Sequence, residues 1–68
     1  MKGNFANAKV EKLIREAGAQ RVSADAVEAL NELLTEYGTK VAKYAIEIAK
    51  NGDRKTVKEQ DIALATQK

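Results

Sequence analysis

The chain has 68 residues, no cysteine, no histidine and a net charge of only +2. That length makes one small domain, whose lone core is marginal without staples or a partner. The missing residue types exclude disulfides and the usual zinc ligand sets, which leaves oligomerisation as the support. No apolar run approaches the roughly 18 residues of a membrane span, and the N-terminus lacks a signal-peptide apolar stretch. Both absences point to a soluble, cytoplasmic protein with no membrane partner.

The mild net charge hides segregation along the chain. Residues 1–22 carry five bases and two acids, whereas residues 23–39 carry Asp25, Glu28, Glu32 and Glu36 and no base. Residues 40–58 then carry six bases against Glu47 and Asp53. Two basic blocks thus flank one acidic row, whose i, i+4 spacing at Glu28, Glu32 and Glu36 makes a solvated helix stripe.

In chain order, residues 1–5 read as a flexible leader without periodicity. A short first helix is expected from Ala6 or Asn7 to Ala17, with Val10, Leu13, Ile14 and Ala17 as its apolar face. Asn4 or Asn7 is positioned to cap its start, and Gly18 to end it at a left-handed position. Ser23 is the natural N-cap of a second helix over residues 24–51, with Asp25 complementing the dipole in its first turn. Apolar side chains at Val27, Leu30, Leu34, Tyr37, Val41, Ala45 and Ile48 recur at steps of three or four. Gly38 is its weak point, but the apolar phase passes through unchanged, so one continuous helix is predicted. Such a helix runs about 42 Å at roughly 1.5 Å per residue. A compact globule of this chain length is only about 30 Å across, so the helix points to a second, partnering chain.

Asn51-Gly52-Asp53 is a stop and turn signal. Thr56-Val57-Lys58-Glu59 reads as a capping box, threonine at N-cap and glutamate at N3. It opens a third, short helix to Thr66 with Ile62, Ala63 and Ala65 apolar and Leu64 a second contact. The domain therefore covers residues 6–66, with residues 67–68 as a short tail and an all-α, short–long–short order.

Little here supports catalysis. Without His or Cys, nucleophilic or general-base chemistry would rest on Ser23, threonines, lysines or carboxylates, and Ser23 is explained as a cap. The four glycines are scattered, so no Gly-rich phosphate loop forms. No enzyme activity, cofactor or metal is expected. The two loops are more informative. Arg21-Val22-Ser23 and Arg54-Lys55-Thr56-Val57 each set a base and a hydroxyl beside free helix N–H groups, a combination that suits phosphate. Val22 and Val57 are expected to pack inward. Read singly, each loop is explained by capping alone, but two such loops at the ends of one long helix favour function. If two copies cross antiparallel along that helix, Arg21 of one neighbours Lys55 and Thr56 of the other, with Lys9, Lys12 and Arg15 near the same edge. Such an edge recognises a duplex backbone without reading bases.

Over residues 6–66 the sequence resembles the archaeal histones. The resemblance is carried by Ala17-Gly18-Ala19-Gln20-Arg21-Val22-Ser23-Ala24-Asp25-Ala26 and by Arg54-Lys55-Thr56-Val57-Lys58-Glu59-Gln60-Asp61-Ile62-Ala63-Leu64-Ala65. It implies a histone fold in which two chains interlock as a handshake dimer, and a chromosome-associated protein that wraps double-stranded DNA as homodimers, tetramers or DNA-wrapped polymers. By resemblance, Arg21 enters the minor groove, Ser23, Lys55 and Thr56 hold phosphates, and Lys12 and Arg15 add contacts. Leu30, Leu34, Tyr37 and Val41 are then the dimer crossing, and Arg54 with Asp61 a structural ion pair. Ile48, Asn51, Asp61 and Leu64 are the surface that joins dimers. An alternative keeps the fold but pairs the chain with a different histone-fold chain inside a transcription-regulatory complex. A third reading breaks the long helix at Gly38 and makes a helix-turn-helix-like regulator.

Four departures from the family stand out. Its proline-containing start is Gly3-Asn4-Phe5-Ala6-Asn7 here, the glycine usual before the loop arginine is Asp53, and the basic C-terminal end is reduced to Gln67-Lys68. At position 51 the usual histidine donates to the aspartate; Asn51 can donate but carries no charge, which implies weaker joining of dimers. Asn51→His is expected to lengthen the DNA footprint protected from nuclease, and an unchanged footprint would contradict this assignment.

Overall fold

The computed structural model describes residues 3–67; the first two residues of the expected leader and the last of the expected tail lie outside the described residues. Three helices follow one another: α1 (Asn7–Glu16), α2 (Ala24–Asn51) and α3 (Glu59–Ala65). No strand occurs among the described residues, and the short–long–short order is that of the histone fold. No helix among them is long and apolar enough to cross a membrane. The chain divides into two units, Met1–Glu36 and Tyr37–Lys68.

The long helix begins where the sequence places it. Ser23 Oγ accepts a hydrogen bond from the Ala26 N–H at 3.1 Å, which satisfies one orphan donor of the first turn. Asp25 lies in that turn, where a carboxylate is favoured by the helix dipole. The helix passes through Gly38 unbroken for 28 residues, which removes the helix-turn-helix reading.

Helices α1 and α2 end by the same device. At the first, the Gly18 N–H donates to Arg15 O at 2.9 Å and the Ala19 N–H to Ile14 O at 3.4 Å. At the second, the Asp53 N–H donates to Lys50 O and the Arg54 N–H to Ala49 O, both at 2.9 Å. This paired pattern is the Schellman motif, which needs a left-handed residue just past the helix. Gly18 supplies it with φ +122°, and Asp53 with φ +59°. The acid at position 53 therefore occupies the one backbone conformation where glycine is favoured, and Asp is among the few other residues that tolerate it.

Within the first unit, Val10 and Val27 are buried together with two polar residues, Asn31 and Thr35. Asn4 and Asn7 do not cap α1, contrary to expectation: the N-cap is Ala6, without a side-chain hydrogen bond. The N–H of Asn4 instead donates to Thr35 Oγ1 at 2.8 Å, and Asn7 Oδ1 accepts from Asn31 Nδ2 at 2.9 Å. The stretch expected to be a loose leader is thus held to α2 at Asn4 and Phe5. Gly3 fits because a Cβ there would collide with the Asn31 side chain. On α1 only Val10 is buried; Leu13, expected on the inner face, is 49% exposed.

Within the second unit the buried side chains are Ala45, Ala49, Asp61 and Ala65. Helix α3 starts at Glu59, later than expected, and Lys58 rather than Thr56 is its N-cap. The carboxylate that reaches back is Asp61, not Glu59: its Oδ2 accepts from the Lys58 N–H at 2.8 Å. Asp61 wins because Arg54 already fixes it, as described below. Ile62 and Leu64 are exposed.

Replacing Gly18 by Ala forces a β-carbon into a left-handed conformation and is expected to lower unfolding stability by about 1–2 kcal/mol. Asp53→Gly is expected to act in the opposite sense, by less than about 1 kcal/mol. Urea unfolding of the two variants beside the parent chain measures both.

Candidate nucleic-acid interface

The first loop leaves α1 at its Schellman end and reaches the cap of α2 within a few residues. Arg21 and Ser23 are exposed on it, and Val22 is half-buried. Its geometry is braced from α1: Arg15 Nη1 donates to Gln20 O at 3.2 Å, one residue before Arg21. Arg15 is also ion-paired with Glu11 across one helical turn at 3.0 Å. That pair is exposed and contributes little to stability, but it aims the guanidinium at the loop. Of the expected contacts on α1, Lys12 is exposed, while Arg15 has two partners within the chain. Ser23 Oγ serves as the helix cap, and its own O–H remains able to donate.

The second loop is built around a single guanidinium. Arg54 Nη2 donates to Asp61 Oδ1 at 2.7 Å and Nη1 to Asp61 Oδ2 at 2.9 Å, a bidentate pair. Arg54 Nη1 also donates to Thr56 O at 3.3 Å, so the same side chain holds both the start of α3 and the loop that precedes it. Two parallel charge-assisted bonds fix geometry more firmly than a single point contact. Lys55 and Thr56 stand exposed on the braced turn. Val57, expected to pack inward, is 41% exposed, because the turn carries it outward before α3 begins.

Asp61 has no exposed surface, and the Arg54 hydrogen bond, followed by that from the Lys58 N–H, pulls its pKa from 3.8 to about 2. The same bond raises the Arg54 pKa above its already high ordinary value. Asp61 thus braces Arg54, and within one chain its carboxylate is wholly committed to that guanidinium and to the Lys58 N–H. Ile48 is half-buried, and Asn51 and Leu64 are exposed. On α2, Leu30, Leu34 and Val41 are half-buried and Tyr37 is exposed, a stripe only partly covered within one chain.

Asn31 and Thr35 are the residues that the sequence pattern did not single out. Their signal was present: they follow Val27 at i+4 and i+8, which puts two polar side chains on the inward stripe of α2.

The depressed Asp61 pKa makes an acid-side prediction. The stability contributed by the pair is complete above about 3.8, the value of a free carboxylate, and is lost as pH falls through about 2. Asp61→Asn is expected to lower the urea midpoint near neutral pH and to flatten its decline between roughly pH 4 and pH 2. Midpoints of both proteins across that window check it.

Residues 4–66 match the family described as histone-like transcription factor (CBF/NF-Y) and archaeal histone. The chain is 53% identical over 58 residues to a subunit of the archaeal histone HAN1 of Thermococcus zilligii, covering 85% of this chain and 87% of that one. It is 39% identical over 54 residues to a probable archaeal histone 3 of Methanocaldococcus jannaschii, covering 79% and 81%. A match across nearly the whole chain, in a three-helix fold with a braced second loop, places the protein in the family of archaeal histones and histone-like transcription factors.

Proposed function

We propose that the protein packages DNA: homodimers bind the backbone of double-stranded DNA without strong sequence preference and compact it in larger assemblies. Family membership supports the packaging role and a chromosomal location, and the site supports its chemistry. The observation that carries the reading is the second loop, where a bidentate arginine presents Lys55 and Thr56 to solvent on a fixed turn. Groups held in place before binding lose less freedom when they engage a phosphate. In this reading Arg21, Ser23 and Lys12 extend the contact, Arg15 shapes the first loop, and Arg54 braces rather than binds. Nothing in the reading calls for catalysis or a cofactor.

The homodimer is supported by what one chain leaves uncovered. Leu33 is 60% exposed and Tyr37 58%, beside the half-buried Leu30, Leu34 and Val41. A second copy crossing there as a handshake buries this stripe and sets Arg21 of one chain beside Lys55 of the other. Ile48, Asn51, Asp61 and Leu64 are then the surface on which dimers meet. One observation favours a second reading, pairing with a different histone-fold chain: the Thermococcus zilligii relative is itself named as one subunit of its histone. Light scattering of the pure protein separates the two, a stable homodimer supporting the first.

Binding to duplexes of unrelated sequence, titrated with salt, tests the function. Affinity is expected to fall steeply as salt rises, with Arg21→Ala and Lys55→Ala each reducing the log–log slope by about one on every duplex. An affinity that does not change between low and moderate salt would overturn the proposal.

A further inference from the structure

We propose that Asn31 and Thr35 are positioning residues for the DNA-binding edge: they tie residues 4–7 to α2 and so hold α1, with Lys12 and Arg15, in one orientation. The inference rests on the DNA-packaging reading above and goes beyond it by assigning a role to two residues that touch no DNA.

The tie is a set of mutually dependent hydrogen bonds. Asn31 Oδ1 accepts from the Phe5 N–H at 3.0 Å while Asn31 Nδ2 donates to Phe5 O at 2.7 Å. One carboxamide thereby satisfies both backbone groups of Phe5, as a neighbouring strand would. The second Nδ2 hydrogen goes to Asn7 Oδ1 at 2.9 Å, on the first residue of α1. Thr35 Oγ1 accepts from the Asn4 N–H at 2.8 Å and donates to Asn31 O at 2.9 Å, closing the network. Both side chains are almost wholly buried, at 3% and 4% exposure, and no buried polar side-chain atom among the described residues lacks a partner. Only asparagine or glutamine carries a donor pair and an acceptor on one planar group, and Gly3 approaches that group so closely that a Cβ there would collide with it.

The tie matters because α1 has little else. It buries one side chain, Val10, and spans ten residues, shorter than an isolated helix that is stable in water. No side chain caps its start. Without the tie, Lys12 and Arg15 would sit on a fraying helix, and their contribution to a phosphate-tracking edge would be lost.

The test combines amide hydrogen exchange of the free protein with salt-titrated DNA binding, on the wild type, Asn31→Ala, Thr35→Val and Thr35→Ser. Thr35→Val keeps every Asn31 contact to the leader and decides the matter should Asn31→Ala fail to fold. The expected result is faster exchange at Phe5 and Val10 in Asn31→Ala and at Asn4 in Thr35→Val, with Thr35→Ser close to wild type. In Asn31→Ala, affinity drops roughly tenfold and the salt slope loses about one, the share of Lys12; Thr35→Val moves the same way by less. Faster exchange with an unchanged slope would overturn the inference, since a merely structural loss lowers the active fraction and not the number of phosphates contacted. Unchanged exchange would overturn it as well. A flat salt dependence of the wild type overturns the DNA reading itself, and is seen before any variant is compared.

Discussion

Three helices must be held in place by very little apolar burial. Among the described residues the buried apolar ones are Val10, Val27, Ala45, Ala49 and Ala65, and three of these five are alanines, which contribute least when removed from water. Larger apolar side chains are present in the sequence, but Leu13, Leu33, Tyr37, Ile62 and Leu64 remain at the surface. The free energy of burial scales with apolar area, so the best part of this chain's hydrophobic potential is unrealised within one copy. Everything else in the structure follows from that shortage.

Each unit answers it in the same way, with a buried polar side chain on a helix that captures a segment the apolar core cannot hold. In the first unit Asn31 captures the backbone of Phe5 and, through Asn7, the start of α1. In the second unit Asp61 captures the guanidinium of Arg54 and, through Lys58, the start of α3. Such groups are costly to bury unless all their hydrogen-bonding capacity is used, and here each uses it on several partners at once. The result is specific geometry where nonspecific packing would leave a range of positions. The start of α1 and the loop that carries the exposed Lys55 are among the parts so fixed.

The sequence disclosed what local rules decide. Both bounds of α2 were legible, because Ser23 caps it and seven apolar residues keep one phase past Gly38. Its far end was legible too, although the left-handed residue is Asp53 and not the neighbouring glycine. The start of α1 at Asn7 was legible, but what holds it was not: the donors of Asn4 and Phe5 find acceptors on side chains 31 and 26 positions away, and no short-range pattern reports that. The start of α3 was misread for a related reason. Thr56 and Glu59 satisfy a local capping pattern, but Asp61 is locked by a residue seven positions back, and that tertiary bond overrides the local one. Of the candidate contacts, Lys12, Arg21, Lys55 and Thr56 are placed at the surface as their sequence positions suggest. The pairing of Asp61 with Arg54 came from the family resemblance and not from spacing, and the structure has it as a bidentate pair.

The small interior also has a thermal consequence. The heat-capacity change of unfolding is set mainly by the apolar surface newly exposed to water, and an interior of two valines and three alanines has little to expose. Melting a lone chain should therefore trace a shallow dependence on temperature. The curvature that gives most proteins a temperature of maximum stability would reside in the apolar stripe along α2, once another surface covers it. Heating or cooling would then act on the association of chains before it acts on their helices.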